Sequence, residues 1–106
     1  MDHCSHFHSF GRVVASEFEK GIWIKSLVVG KIQLRHMEFE PGSLIPVHRH
    51  PEEVVTMILE GEMKMTVCKE TKRVKPGDVF GIPPNTDHSG RVFGDRVVAV
   101  SWSPVR

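Results

Sequence analysis

The chain has 106 residues and a formal net charge of +1 with its histidines neutral, and 40% of its residues are hydrophobic and 25% charged. This length suits one domain with a modest core. Basic and acidic residues are interspersed, and no apolar run approaches the roughly 18 residues that cross a bilayer, so we expect neither a nucleic-acid partner nor a membrane partner. The two cysteines form no CxxC pair and no signal peptide is evident, which predicts free thiols in a cytoplasmic protein.

The N-terminal residues differ from the rest of the chain. Residues 1–10 are polar and aperiodic, and they carry His3, His6 and His8. We expect them to form a mobile tail whose histidines bind metal only adventitiously.

From residue 11 onward, short runs of β-branched and large apolar residues are separated by Gly, Pro, Asn and Asp turns. The runs are GRVVASEF, IWIKSLVV, KIQLRHMEFE, EVVTMILE, EMKMTVCKE, KRVK, VFGIPP, SGRVF and RVVAVSW. Alternation is clearest in EMKMTVC, where Met63 and Met65 share one face. In KIQLRHMEFE, His36 is opposite in parity to Met37 and Phe39, so it faces water if those two face the core. This organisation predicts an all-β sandwich or barrel over residues 11–106, as a single domain.

The HRHPEE segment, residues 48–53, is the strongest indication of chemistry. His48 and His50 project to the same side if the segment is a strand, and Pro51 ends the strand or sits at a bulge. His88 follows the turn PPNTD, and a barrel can bring it back beside the first pair. Neutral imidazoles bind zinc and other first-row divalent ions, and a carboxylate would complete a mixed site. The alternative is that the HxH pair simply meets water on an exposed strand.

Two segments together resemble the motifs of the cupin superfamily. Residues 42–61, GSLIPVHRHPEEVVTMILEG, resemble the first motif, and residues 77–88, GDVFGIPPNTDH, resemble the second. The resemblance implies a small double-stranded β-helix, the cupin jelly roll. It also implies one divalent metal ion (Zn, Ni, Mn or Fe) held by His48, His50 and His88.

The chain departs from the cupin motifs at the acidic ligand and in the second motif. Counting back from Gly61, the glycine that ends the first motif, the family's acidic ligand falls on Val54. Two alternatives follow: either Glu53, or as a second choice Glu52, reaches the metal through a local bulge, or the site has three protein ligands. Asn85 stands where the family has glycine, and it tolerates a left-handed conformation that preserves the turn.

The remainder of the chain is most similar to the pectin-degradation cupins, which open the ring of unsaturated uronates. The segments KGIWIKSLVVGKIQLRHMEFEPG and VVAVSWSPVR carry this similarity. It implies that Trp102 is a pocket aromatic and that Arg106 binds a substrate carboxylate. Val100 replaces the acidic residue that the family is expected to use in proton transfer, so the catalytic residues are not identified.

Three functions remain open at this stage. The first is a metal-dependent isomerase or ring-opening enzyme acting on a small sugar acid. The second is a non-catalytic module that binds or senses a small carboxylate, and the third is a metal-dependent dioxygenase. The resemblance also implies a homodimer, in which a strand such as RVVASEF extends the partner's sheet.

Overall fold

The computed structural model describes residues 6–105, and these form ten strands and one short 3₁₀ helix. The helix is η1 (Phe10–Arg12). The strands are β1 (Ser16–Glu19), β2 (Ile22–Val29), β3 (Ile32–Phe39), β4 (Leu44–His48), β5 (Val54–Glu60), β6 (Met63–Val67), β7 (Glu70–Val74), β8 (Val79–Ile82), β9 (His88–Val92) and β10 (Val97–Pro104). The prediction of an all-β fold is therefore confirmed.

The strands form two antiparallel sheets. The larger has six strands in the order β1-β2-β3-β10-β5-β8, and the smaller has four in the order β4-β9-β6-β7. Because β10 pairs with both β3 and β5, the last strand lies in the middle of the larger sheet. Non-consecutive neighbours of this kind are the mark of a jelly roll rather than a simple meander.

The core lies between the two sheets and follows the alternation of the sequence. Met63 and Met65 are 1% and 5% exposed, whereas Lys64 between them is exposed, as the pattern EMKMTVC predicts. Met37 packs against the core cluster, and Phe39 belongs to it, which puts His36 on the outer side of β3. That outer position is not fully open to water, since the ring of Phe10 lies 5.8 Å from the ring of His36.

The run GRVVASEF forms less strand than the sequence predicts. Its first residues belong to η1, and only Ser16–Glu19 pair with β2. Val14 is 87% exposed, whereas Val13 and Ala15 on either side of it are partly buried. Apolar residues alone do not make a strand where no neighbouring strand satisfies the backbone.

Two residues in the left-handed conformation shape turns, one at the end of β5 away from the histidines and one beside them. Gly61 has φ +80°, and a Cβ there would lie 2.3 Å from the carbonyl oxygen of Arg96, so no larger residue fits. Asn85 has φ +55°, which confirms that it takes the left-handed conformation in place of glycine. Its backbone N–H donates to the carbonyl oxygen of His50 at 2.7 Å. This turn therefore ties the segment before His88 to the segment that carries His50.

A β-bulge in β4 sets the direction of His48. Ile45 pairs with Gly90 and His48 with His88, so three steps along β4 match two along β9. The extra residue reverses the alternation, and both Ile45 and His48 consequently face the interior. Pro46 is tolerated here because β4 is an edge strand and Pro46 lies within the bulge.

Several sequence predictions concern residues or properties beyond this description. His3 and Arg106 lie outside the described residues, and the division into a tail of residues 1–10 and a domain of residues 11–106 stays a prediction.

None of the helical segments within residues 6–105 could span a bilayer. Cys68 is exposed and free, as expected of a thiol that takes no part in a disulfide framework.

Candidate metal centre

The three predicted histidines converge in the structure. One ring nitrogen from each of His48, His50 and His88 lies within 4.8 Å of the other two. The ring centroids are 4.1 Å apart for His48 and His88, 4.7 Å for His50 and His88, and 5.8 Å for His48 and His50. His48 and His88 are 40 positions apart in the sequence. They meet because His48 is the last residue of β4 and pairs with His88, the first residue of β9.

Each imidazole is oriented by a backbone carbonyl. Nδ1 of His48 bonds to the carbonyl oxygen of Pro46 at 2.9 Å, and Nδ1 of His88 bonds to that of Thr86 at 2.9 Å. Nδ1 of His50 bonds in the same way to the carbonyl oxygen of Glu52 at 3.1 Å. A carbonyl only accepts, so each Nδ1 carries a proton, and in the neutral form of the ring the lone pair for a metal ion is on Nε2. Metal-binding histidines commonly have this arrangement, in which the second nitrogen fixes ring and tautomer.

His88 is the most buried of the three, with 5% of its surface exposed. Burial lowers the pKa of His88, and the neighbouring rings of His48 and His50 lower it further, against the opposing hydrogen bond to the Thr86 carbonyl and the charge of Asp87. The neutral form, which is the form that binds a metal ion, is therefore favoured at this position.

An ion pair beside the cluster joins its two halves. Arg49 Nε donates to Asp87 Oδ1 at 2.8 Å. The guanidinium lowers the pKa of Asp87, and the carboxylate raises the pKa of Arg49. Both side chains are more than half exposed, so the pair adds little to stability and chiefly links the His48–His50 segment to the residue before His88.

The structure does not place a carboxylate among the three rings. Glu53 is exposed and does not line the cavity, and no acidic group of residues 6–105 joins the histidine cluster. Val54 begins β5 and points inward, so the position that matches the family's acidic ligand holds a side chain that cannot bind metal. Glu52 lines the cavity, and its Oε1 lies 3.8 Å from Nδ1 of His50. A role for Glu53 as a ligand stays a prediction, and of the two glutamates it is Glu52 that lies beside the cluster.

The cluster opens into a cavity of about 340 Å³ between the two sheets. This volume is near the lower end of the range for small-molecule sites. Its walls are mainly apolar, with side chains such as Ile24, Phe80 and Ile82. The polar groups are few and lie together, as in most specific pockets: they are the three histidines, Glu52, Thr56, Ser101 and Arg35.

Arg35 is a site residue that the sequence analysis missed. It lies on β3, lines the cavity, and is only partly exposed. Its Nη2 donates to Ser103 Oγ at 2.9 Å and to Gln33 Oε1 at 3.4 Å, and its Nη1 donates to Ser101 Oγ at 3.3 Å. Arg35, Met37 and Phe39 are two residues apart, so the alternation of a strand places all three on the same face. The pattern of KIQLRHMEFE therefore already indicates that Arg35 points inward.

Phe18 is a second such residue. It sits at an irregularity in the pairing of β1 with β2, between Glu17 and Glu19. It is 54% exposed, lines the cavity, and its ring centroid lies 6.0 Å from that of His48. An aromatic side chain therefore stands at the entrance beside the histidines, where no feature of the sequence distinguished it.

Trp102 is not brought to the cavity. On β10, Ala99 and Ser101 face inward and line the cavity, so Val100 and Trp102 project from the opposite side of the sheet. The alternation of the strand separates Trp102 from the site that the resemblance assigned to it. Val100, likewise, does not occupy a position where an acid could act on a ligand in this cavity.

The donor set fits a divalent metal ion. Two nitrogens bound to one zinc ion at about 2.1 Å are at most about 4.2 Å apart, so rings whose nitrogens lie within 4.8 Å need only small rotations. Three oriented imidazoles with coordination positions left for water or a ligand are typical of catalytic rather than structural zinc sites. The same donors accept several first-row ions, and their identity does not select one.

Comparisons with known proteins agree with this geometry. The cupin domain family model matches residues 35–103. The uncharacterized protein MJ1618 of Methanocaldococcus jannaschii is 36% identical over 67 residues, a segment that spans 59% of this chain and 54% of that protein, about half its length.

Two solved structures share the fold at low sequence identity. An RmlC-like cupin from Shewanella frigidimarina is 24% identical with a TM-score of 0.84, over 96% of this chain and 93% of that one. KdgF from Halomonas sp. is 24% identical with a TM-score of 0.75, over 88% and 87% of the two chains. Together the family match, the ten-stranded jelly roll and the histidine cluster lead to one conclusion: the chain belongs to the cupin family.

Proposed function

We propose that this protein is a metal-binding cupin that catalyses the isomerisation or ring opening of a small sugar acid such as an unsaturated uronate. One observation carries the proposal: three imidazoles, each fixed by its Nδ1 hydrogen bond, converge in a mainly apolar cavity of about 340 Å³. The sequence similarity to pectin-degradation cupins and the structural likeness to KdgF of Halomonas sp. support the choice of substrate class.

His48, His50 and His88 would hold the metal ion through their Nε2 atoms. When bound, a divalent ion supplies Lewis acidity that stabilises negative charge developing on a carbonyl or enol oxygen. The carbonyls of Pro46, Thr86 and Glu52 keep the rings in the required tautomer. The apolar walls limit water around the reacting group, which strengthens every electrostatic contact inside.

Isomerisation also requires a group that moves a proton, and Glu52 is the candidate. Among residues 6–105, Glu52 is the one carboxylate that lines the cavity, and it stands beside His50. Its Oε atoms would take a proton from one atom of the substrate and return it to another, so the reaction leaves no net charge on the protein. This assignment replaces the acid that Val100 cannot provide.

The test is turnover of an unsaturated galacturonate, followed by the loss of ultraviolet absorbance of its conjugated double bond. The wild-type protein should turn it over, and the His48→Ala/His50→Ala variant should not. Glu52→Gln should keep the metal, measured by elemental analysis, and lose a factor of about 10² to 10⁴ in kcat. Turnover that is unchanged in Glu52→Gln would contradict the proton-transfer role.

A non-catalytic binding module is the second candidate function. Val54 lines the cavity at the position where the family's acidic ligand is expected, and a side chain that can neither bind metal nor transfer a proton favours binding over catalysis. On this alternative, the metal-loaded protein binds a small carboxylate but converts no unsaturated uronate. No observation among the described residues favours the third function, a dioxygenase, because no carboxylate joins the histidine cluster.

We further propose that the protein is a homodimer. β1 is an edge strand of the larger sheet and is exposed along its whole length, so its outer edge is free to pair with a second copy. Light scattering at micromolar concentration should give twice the mass of the chain, and a monomeric mass would contradict the proposal.

A further inference from the structure

Arg35 carries a positive charge into a cavity whose walls are mostly apolar. Its three hydrogen bonds all end on neutral oxygens, those of Gln33, Ser101 and Ser103. Within residues 6–105 it takes part in no ion pair, although four pairs between arginines and carboxylates form elsewhere. A partly buried cation with no carboxylate in direct contact is costly unless a ligand supplies the opposite charge at close range.

The surroundings hold the guanidinium in place. Arg35 pairs across the backbone with Ser101 of β10, and Ser101 pairs in turn with Thr56 of β5, so two neighbouring strands present small polar side chains at the level of Arg35. Ser101 and Ser103 are each 2% exposed, and both accept from Arg35. Three of the five N–H donors are used in this way, and the other two, on Nε and Nη1, make none of these hydrogen bonds.

The charges of the cavity also favour an anion. Burial lowers the pKa of Arg35, and the charge of Glu52 partly offsets this, so the two groups are close enough to interact. A guanidinium remains protonated at neutral pH despite such a shift. The positive charge of Arg35 and the negative charge of Glu52 sum to zero. A divalent ion on the histidines would therefore leave the cavity with a net positive charge.

We propose that Arg35 binds the carboxylate of the cavity's small-molecule ligand, a role that the sequence resemblance assigned to Arg106. The ligand then lies between β3 and the histidines, with its carboxylate on Arg35 and its remaining oxygens toward the cluster. The class of ligand rests on the proposed function, but the presence of an anion site at Arg35 does not depend on catalysis.

The test compares an anion with its neutral counterpart in one protein. D-galacturonate and D-galactose differ in the carboxylate, and their dissociation constants are measured by NMR titration of the full chain, with metal content determined on the same samples. Wild type should prefer galacturonate. Arg35→Gln should weaken galacturonate at least about tenfold and leave galactose unchanged, since a charge-assisted hydrogen bond is lost.

Three further variants give the comparison its controls. Arg35→Lys keeps the charge but not the fork and should retain part of the preference. Arg73→Gln removes an exposed arginine of β7 that lies outside the cavity and should change neither affinity. Arg106→Gln tests the competing assignment, and a loss of preference there instead of in Arg35→Gln would overturn the proposal.

Other results also overturn it. One is an equal weakening of galacturonate binding and galactose binding by Arg35→Gln, which would indicate a purely structural arginine. The other is the absence of any preference for galacturonate in wild type. If Arg35→Gln does not fold, the Nε–H resonance of Arg35 in wild type decides: it should shift with galacturonate and not with galactose. Failure of the proposed function has a different signature, namely absence of metal or of turnover while the preference that depends on Arg35 persists.

Discussion

The two faces of β10 differ in a way that accounts for the cavity. The inward face carries Ala99, Ser101 and Ser103, which are small and at most 2% exposed. The outward face carries Val100 and Trp102, which are larger and only partly buried. Small side chains in the middle of the larger sheet leave space between the sheets, and their hydroxyl groups hold Arg35 in that space. On its inward face, β10 therefore leaves space for the cavity and supplies hydroxyl groups, and on its outward face it carries larger side chains.

The largest expected effect on stability comes from adding one methyl group to the inner side. Gly90 on β9 faces the core, and a Cβ there would lie 2.6 Å from Met65 Sδ, 3.0 Å from Met63 Cε and 3.1 Å from Ile45 Cδ1. Gly90→Ala should lower the free energy of unfolding by about 1–3 kcal/mol, because overpacking forces these side chains to shift. Urea denaturation measures the change.

Gly81→Ala is the matched control on the outer side. Gly81 lies in β8 with nothing within 4 Å of the added Cβ, so the change should be neutral or slightly stabilising, within about 1 kcal/mol. Equal destabilisation by Gly81→Ala and Gly90→Ala would show that the inner and outer sides of the sheets are not packed differently.

A second pair of variants tests the contribution of β10 to the cavity. Ser101→Leu fills space beside Arg35 and removes one of its acceptors, so it should weaken galacturonate binding at least about tenfold. Val100→Leu adds a similar apolar group to the outward face and should leave binding unchanged. NMR titration of both variants provides the comparison, and a larger loss in Val100→Leu would reverse the assignment of the two faces.

A smaller effect concerns the pH dependence of the metal-free protein. Burial lowers the pKa of His88 below that of the unfolded chain, which is about 6.5. The unfolded state therefore binds a proton first as the pH falls, so stability should decrease from about pH 6.5 downward until His88 also titrates in the folded state. Urea unfolding in EDTA at several pH values should show a shallower decrease for His88→Gln. An identical decrease in the variant would contradict the assignment.

The sequence predicts most of the strands because their alternation and their turn residues agree. IWIKSLVV corresponds to β2 from end to end, and Met63 and Met65 are buried as the alternation requires. The histidine cluster is also predictable, since the two motifs fix the residues and the fold then brings the strands together. The left-handed Asn85 follows from the known tolerance of asparagine.

The orientation of individual side chains is harder to predict. In RVVAVSW both faces are largely apolar, so alternation gives no reason to place Trp102 inside or outside. The bulge that turns His48 inward depends on pairing with β9, which is distant in sequence. The position of Arg35 is hard to predict for a different reason. A charged residue in a strand is normally assigned to solvent, and only its alternation with Met37 and Phe39 on the same face indicates otherwise.

The metal content of purified protein tests the central claim most directly. Elemental analysis should find one divalent ion per chain in wild type and none in His48→Ala/His50→Ala, while His36→Ala, on the outer side of β3, should keep full occupancy. Full occupancy in the double variant would contradict the assignment of these imidazoles as the metal centre.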